Sequence, residues 1–442
     1  MTGKEWISAF EGRGAGEEAA RYVKLASGFL DDALFPRSRF PEAAGSVRFF
    51  TAAGRTELGG NHTDHNNGKV LAAAVQLDAV AVAAGRDDAR VSFRSTGFPD
   101  VDIDISDTSV RENEKGKTEA LVRGIAAGFV SRNIPVRGWS ANIDSTVFPG
   151  SGLSSSAAIG VLIAKIFDCL YNGGRLAAVE IAKIAQKAEN LYYGKPCGLM
   201  DQAASAFGGA VAIDFGGDAP VISQIDFNPG AAGYALCVVN TGGDHADLTG
   251  DYAAIPAEMK SVAAFFGAAN LREAGKDAFF RALADGRVMG NLRRQCGDRA
   301  LLRALHFFNE NDTVDKMHAA LQVFASAGSS KELCESFARF LGLVRQSGAS
   351  SQNLLQNISS PHSLAGQPLA VALALTDSFA SRLGKDIACR VHGGGFAGTV
   401  QAYVPLDCLP GYRAEMEAVF GTGAVTELKI SGGGARELRI EG

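Results

Sequence analysis

The 442-residue chain has no surplus of one charge: 43 Lys and Arg against 48 Asp and Glu leave a net charge of −5. No long basic tract is present, which argues against a nucleic-acid or membrane-surface protein driven by charge. The seven cysteines form no C-x-x-C pair and are scattered from Cys169 to Cys408, so neither a disulfide framework nor a structural zinc site is expected. They read as reduced thiols of a cytoplasmic protein. Met1-Thr2-Gly3-Lys4-Glu5-Trp6 has no apolar signal core. The most apolar stretch, Ala157 to Leu170, is interrupted by Lys165 and Asp168 and is too short to cross a bilayer, so it reads as a buried helix. Fixed-period repeats and low-complexity tracts are absent. With 46% apolar and 21% charged residues, disordered and fibrous classes are excluded. Glycine is what the chain has in excess, 53 residues in all, above the usual share of about 7%.

The length suits two domains. Alternation over Val47–Ala52 and Ala89–Ser95 predicts strands, as does Trp139–Asp144, whereas Glu119–Val130 predicts a helix. Ala177, Ile181, Ile184, Ala188 and Leu191 share one helical face after the Gly173-Gly174 break. Asn228-Pro229-Gly230 is a strong turn and the expected domain boundary, giving domains 1–229 and 230–442. Beyond it come a strand (Ala235–Val239), a mostly helical region from Ala254 to Leu383, and strands at Thr399–Val404 and Val425–Ile430. The fold class is α+β in two domains.

Three glycine-rich stretches carry chemistry. In Pro149-Gly150-Ser151-Gly152-Leu153-Ser154-Ser155-Ser156-Ala157-Ala158 a strand ends, glycines turn the backbone, and serines open an apolar helix. Unpaired amides and the positive helix end favour an anion there, and a hydroxyl can ligate Mg²⁺. It is not a Walker loop, since no Gly-Lys-Ser/Thr follows. The plainer reading is a turn with a serine N-cap. Upstream, Gly54-Arg55-Thr56-Glu57-Leu58-Gly59-Gly60-Asn61-His62-Thr63-Asp64-His65-Asn66 reads as a polar loop between strands, with the short acceptors and donors that sugar hydroxyls need. A rival reading takes His62, Asp64 and His65 as zinc ligands, but the flanking glycines and Asn66-Asn67-Gly68 argue against a rigid ligand-bearing helix. His392-Gly393-Gly394-Gly395-Phe396-Ala397-Gly398 marks close backbone approach to another surface or ligand. Between these, Glu189 is either an edge charge or an inward ligand, and Asp201 either a helix N-cap or a functional carboxylate.

Taken in order, these motifs resemble the GHMP small-molecule kinase superfamily and, within it, the galactokinases. Gly54-Arg55…His62-Thr63-Asp64 is similar to the signature G-R-V-N-x-I-G-E-H-T-D-Y, and Gly150–Ala158 to the phosphate loop G-x-G-L-S-S-S-A. Ala188-Glu189-Asn190 with Cys197–Gln202 resembles the segment carrying a metal ligand and catalytic acid, and Gly393–Gly398 resembles G-G-G-F-G-G. The resemblance implies a ribosomal-protein-S5-like N-terminal domain and a ferredoxin-like C-terminal domain with the site in the cleft between them. It implies ATP phosphates wrapped by Gly150, Ser151, Gly152, Leu153, Ser154, Ser155 and Ser156, with Ser95 helping to bind the nucleotide. Ser156 and Glu189 would hold Mg²⁺. Asp201 would accept the proton of the sugar's anomeric hydroxyl, and Arg55 would stabilise the developing charge. Asn61, His62, Thr63, Asp64, Gly198 and Tyr252 would line the sugar pocket, Tyr252 by a looser match over Asp244–Tyr252. The activity implied is Mg²⁺/ATP-dependent phosphorylation of C1 of galactose, with no nucleic-acid or membrane partner.

Four departures from those motifs carry weight. Asn61 stands in place of Glu, keeping one acceptor while removing the charge, so it tolerates a C6 carboxylate that Glu would repel. His65 replaces Tyr, Pro149 lies one position late, and Ala397 replaces Gly. A sugar-1-kinase for galacturonate or N-acetylgalactosamine is therefore the alternative. A non-catalytic sugar sensor on the same fold is disfavoured by the joint presence of Arg55, Ser156, Glu189 and Asp201.

Overall fold

The computed structural model describes residues 17–31, 47–147, 150–217, 219–243, 248–362, 365–396 and 398–438. Pro149, Ala397, Asp244–Asp247 and the first six residues, all singled out above, lie outside them. Two sheets organise the chain. The strands of the first are β1 (Arg48–Gly59), β2 (Lys69–Gly85), β3 (Arg90–Ser95), β4 (Val101–Asp104), β5 (Trp139–Ser145), β6 (Ala210–Asp214) and β7 (Val221–Ile225). The second contains β8 (Tyr234–Asn240), β9 (Ala388–His392), β10 (Thr399–Pro405) and β11 (Val425–Leu428), and a last strand, β12 (Arg436–Leu438), returns to the first. The first sheet runs β12-β1-β2-β5-β3-β4, with β6 on β2 and β7 on β6; the second runs β11-β8-β10-β9. Among these ladders only β3–β5 is parallel.

The long β2 serves two partners, pairing Lys69–Ala73 with β6 and Ala79–Gly85 with β5. Strand β1 continues past Gly54, where the hydrophobic alternation stops, through Arg55-Thr56-Glu57 to Gly59. Its register shifts twice, between Ala53 and Arg55 and between Glu57 and Gly59. Such bulges re-aim side chains. The expected loop is therefore half strand: the polar residues are buried against partners from elsewhere in the chain, so polarity there does not signal solvent.

One face of the first sheet is covered by α2 (Thr118–Val130), α3 (Ser155–Asn172), α4 (Ala178–Lys187) and α5 (Met200–Phe207), following α1 (Glu17–Asp31) in the chain. Helix α3 is long and apolar enough for a membrane span by composition, yet its Val161–Ala164, Ile166 and Phe167 are buried inside the protein. After α6 (Thr249–Phe265) come three short helices, α7 (Leu271–Ala274), α8 (Lys276–Ala284) and α9 (Gly286–Cys296). The long pair α10 (Asp298–Ala325) and α11 (Ser330–Ser350) follows, then α12 (Pro368–Leu383) and α13 (Leu409–Phe420). Phe279 and Phe308 are buried and in contact, with the half-buried Phe265, Phe266 and Phe280 packed against their cluster. Helices α12 and α13 cover one face of the second sheet. Its other face carries Arg390, His392, Gln401 and Tyr403 toward β1 and the α10–α11 pair. That junction positions the site. All seven cysteines are unpaired thiols.

Helix α1 lies over the opposite face of the first sheet, with Tyr22, Leu25, Ala26 and Phe29 against Phe49, Val80 and Val82. Arg21 pins it there, at 2.5 Å from Asp78 and 2.6 Å from Asp144. Replacing Arg21 by Met leaves two half-buried carboxylates without their cation. The expected loss is about 2–3 kcal/mol in urea unfolding, with no change in the geometry described next.

Candidate active site

The first bulge of β1 turns Arg55 into the interior. Its Nε and Nη2 donate to Asp201 Oδ1 and Oδ2 at 2.7 and 2.8 Å, and its Nη1 donates to the Gly152 carbonyl at 2.5 Å. One guanidinium thus joins a carboxylate from the first turn of α5 to the serine-rich loop. Burial pushes the Asp201 carboxyl up, but Arg55 and the Ser154 hydroxyl outweigh it and hold it below the usual carboxylate range. The sequence left open whether Asp201 is a cap or a functional group; its side chain faces Arg55.

The loop itself has Gly150, Gly152 and Ser154 in the left-handed region, at φ of 78°, 73° and 60°. A side chain at Gly152 would strike Thr399 Oγ1 at 2.3 Å, so close seating against β10 demands glycine. The plain N-cap reading fails here: Ser154 makes no capping bond to α3 and instead donates to Asp201 Oδ2 at 2.6 Å. The first amides of α3 are thus not capped by Ser154, an arrangement suited to an anion. Ser155 and Ser156 open α3, and Leu153 is buried, its carbonyl accepting from the Arg55 amide at 3.0 Å. Ser151 is half-buried beside Leu153. Ser95 ends β3, half-buried, one strand away beside Ile143 of β5.

Glu189 sits on a π-helical turn, Ala188–Tyr193, that continues α4. It is buried, pointing inward rather than edging the surface. Ser156 Oγ donates to its Oε1 at 2.9 Å, Gln202 Nε2 to its Oε2 at 2.8 Å, and Lys195 Nζ lies 3.3 Å from Oε1. Burial works against the Lys195 ammonium, but Glu189 and Asp201 outweigh it and raise its pKa. A hydroxyl and a carboxylate oxygen at contact distance form a donor set that fits Mg²⁺, which takes one or two protein oxygens and fills the rest with phosphate and water. Among the described residues no three His, Cys, Asp or Glu side chains converge as a metal cluster. Lys195 and Gln202 were not singled out by motif reasoning, although both lie inside the segment that carries Glu189 and Asp201.

The sugar-like loop meets the third glycine stretch. His62, in the left-handed region, donates from Nε2 to the Gly394 carbonyl at 2.9 Å, with that tautomer assigned from the acceptor. This leaves Nδ1 as an acceptor. Its ring stacks on His65 at 5.9 Å, which gives the His65 departure a physical sense. Asp64 fits because position 198 is glycine: a Cβ there would lie 1.5 Å from Asp64 Oδ2. Tyr252 donates to the Gly395 carbonyl at 2.8 Å, and burial pushes its phenol up to about 12, so it stays a donor. Two of the expected sugar contacts are placed otherwise. Thr63 is fully buried, its hydroxyl bonded to the Gly60 and Lys69 carbonyls at 3.0 and 2.6 Å. Asn61 is fully buried too, its amide held by Glu57, Gly393 and Asn357. The polar side-chain atoms of both are thus engaged inside the protein. Asn357 and Arg390, neither singled out from the sequence, complete the junction with His392, which opens the third glycine stretch. His392 accepts from or donates to Thr56 and Thr399, each at 3.0 Å.

Burial lowers the pKa of His62 to about 3 and also lowers those of His306 and His392. The unfolded chain protonates its histidines near pH 6.5, so between that pH and the lowered values the unfolded state binds more protons. Stability therefore falls as pH drops below about 6.5, by up to about 1.4 kcal/mol per pH unit for each histidine. Urea midpoints at pH 7.5, 6.0 and 5.0 check this; equal midpoints contradict it.

Known proteins resemble this chain in sequence and in fold. The family model for the GHMP kinases N terminal domain matches residues 120–209, and that for the galactokinase galactose-binding signature matches residues 37–85. A galactokinase of Streptomyces coelicolor is 29% identical over 402 residues, covering 88% of this chain and 94% of the relative. One of Glaesserella parasuis is 31% identical over 279 residues, 61% of this chain and 68% of the relative. In fold, the chain superposes on Lactococcus lactis galactokinase complexed with galactose at a TM-score of 0.73 and 21% identity, covering 92% and 98% of the two chains. It also resembles a mevalonate kinase at a TM-score of 0.58 and 15% identity, covering 87% and 99%. On these matches, and with the signature, phosphate loop and acidic segment folded around Arg55, the chain belongs to the galactokinase family of the GHMP kinases, ATP-dependent sugar kinases.

Proposed function

We propose that the protein transfers the γ-phosphoryl group of ATP to the anomeric hydroxyl of galactose, in the cytoplasm. The observation that carries this reading is the double attachment of Arg55, to Asp201 on one side and to the Gly150–Ser156 loop on the other. Phosphoryl transfer asks for positioning and charge neutralisation more than covalent chemistry. A cation between a proton acceptor and a phosphate cradle supplies that neutralisation. The uncapped amides of α3 bind phosphate, and Ser95 helps seat the nucleotide. Ser156 and Glu189 would hold Mg²⁺, which when bound adds positive charge against the phosphate oxygens.

Asp201 orients the C1 hydroxyl and takes its proton. Because Arg55 and Ser154 keep its carboxylate weakly basic, the transfer to it comes late, as the new P–O bond raises the acidity of the attacking oxygen. His62 Nδ1, Asp64 and Tyr252 supply sugar contacts, with Gly198 making room for Asp64.

The first measurement is ADP release with Mg²⁺/ATP against galactose, glucose, galacturonate, N-acetylgalactosamine and arabinose. Preference for galactose is expected; no turnover with any of them, alongside sugar binding, refutes the reading. Asp201→Asn lowers kcat by at least about 10²-fold while sugar binding persists, and near-normal activity removes Asp201 from the mechanism. The acid limb of kcat/KM due to Asp201 lies below the ordinary aspartate value of about 3.9. Arg55→Met moves that limb upward in whatever activity remains.

A further inference from the structure

We infer that Asn61 is a positioning residue, not a sugar contact, and that with Glu57, Arg390 and Asn357 it fastens the sugar loop to the third glycine-rich loop. Every polar atom of its side chain is engaged. Nδ2 lies 2.6 Å from the Gly393 carbonyl and 3.1 and 3.2 Å from the two Glu57 oxygens, while Oδ1 accepts from Asn357 Nδ2 at 2.7 Å. Its backbone carbonyl also pairs with His306 Nε2 at 2.9 Å. A carboxamide so placed, with no exposed surface, has nothing left to offer a hydroxyl.

The second observation concerns charge. Glu57 pairs with the fully buried Arg390, whose Nε and Nη1 have no hydrogen-bond partner among the described residues. Glu57 is therefore the contact counter-charge of Arg390, and losing it would strand a buried cation. The galactokinase-like signature has an amide at position 57 and an acid at position 61. This chain has the two exchanged, and their side chains touch. The exchange keeps one carboxylate in the pair but sets it against Arg390. The loop's sugar-facing chemistry is left to His62 Nδ1 and Asp64.

Asn357 is the far anchor. It follows a left-handed Gln356 that ends the π-helical turn Ser351–Leu355, and it also donates to the Gly394 carbonyl at 3.1 Å. The Gly393 and Gly394 carbonyls are thus bonded to side chains of Asn61, His62 and Asn357, so displacing Asn61 moves the loop that also carries His62.

Two experiments decide the matter, and only the second rests on the sugar-kinase reading. The first is a thermal-unfolding cycle without sugar. Glu57→Asn and Asn61→Glu each lower Tm on the order of 10 °C, and the two combined recover at least about half of the summed loss. Simple additivity overturns the pairing. The second compares galactose with 2-deoxy-, 4-deoxy- and 6-deoxygalactose in Asn61→Ala and Asn357→Asp. Both variants are expected to raise the sugar KM about 10-fold, by the same factor for every sugar, with the ATP KM unchanged. If one deoxy sugar is insensitive to Asn61→Ala, Asn61 touches that hydroxyl and the inference fails. If the unmodified protein phosphorylates no sugar, the sugar-kinase reading fails and the unfolding cycle alone judges the inference.

Discussion

Arg55 must be buried and charged at once, and much of the site follows from that requirement. Enclosing a guanidinium is costly unless carboxylate and carbonyl groups meet its donors in good geometry. Asp201 supplies two acceptors and Gly152 a third. For Gly152 to reach, the loop must pass tightly over β10, which excludes a side chain at that position. For Asp201 to remain, Ser154 must turn toward it and so leave the start of α3 uncapped. A single ion pair thereby shapes the Asp201 carboxylate, the Gly150–Ser156 loop and the start of α3.

The junction of the two sheets repeats the principle with weaker groups. Carbonyls of the third glycine stretch accept from Asn61, His62, Asn357 and Tyr252, side chains from three separate parts of the chain. A glycine-rich loop left to itself is the most entropically costly segment to order. Here its carbonyls are held by rigid elements, which preorganises the surface against which the sugar loop lies. Burial keeps His62 and His392 neutral in this setting, so they accept and donate hydrogen bonds without adding charge.

Much of this was legible from local pattern. The buried helix after the serines and the helix leading to Glu189 stand where their residues place them, because amphipathic faces are written locally. Leu191, expected on the apolar face of the latter, is instead exposed, because the chain passes into the π turn Ala188–Tyr193 before reaching it. What escaped is non-local. Strand β1 outruns its hydrophobic alternation because Thr56 and Glu57 meet His392, Gln401 and Arg390, residues more than three hundred positions away. The Asn61–Asn357 hydrogen bond escaped as well, because Asn357 sits in a helical region with no motif to announce it. The π turn at Glu189 carries no composition signal either. A one-residue widening of a helix is visible only in its hydrogen bonds.

Strand β12 has three residues and pairs with Phe49, Phe50 and Thr51 at the outer edge of β1. A short terminal strand of this kind blunts a sheet edge that would otherwise offer a row of free amides and carbonyls to another molecule. The strand it shields is the one that carries Arg55. Shortening the protein before Arg436 would therefore open an adhesive border beside β1, inviting strand-to-strand association between copies.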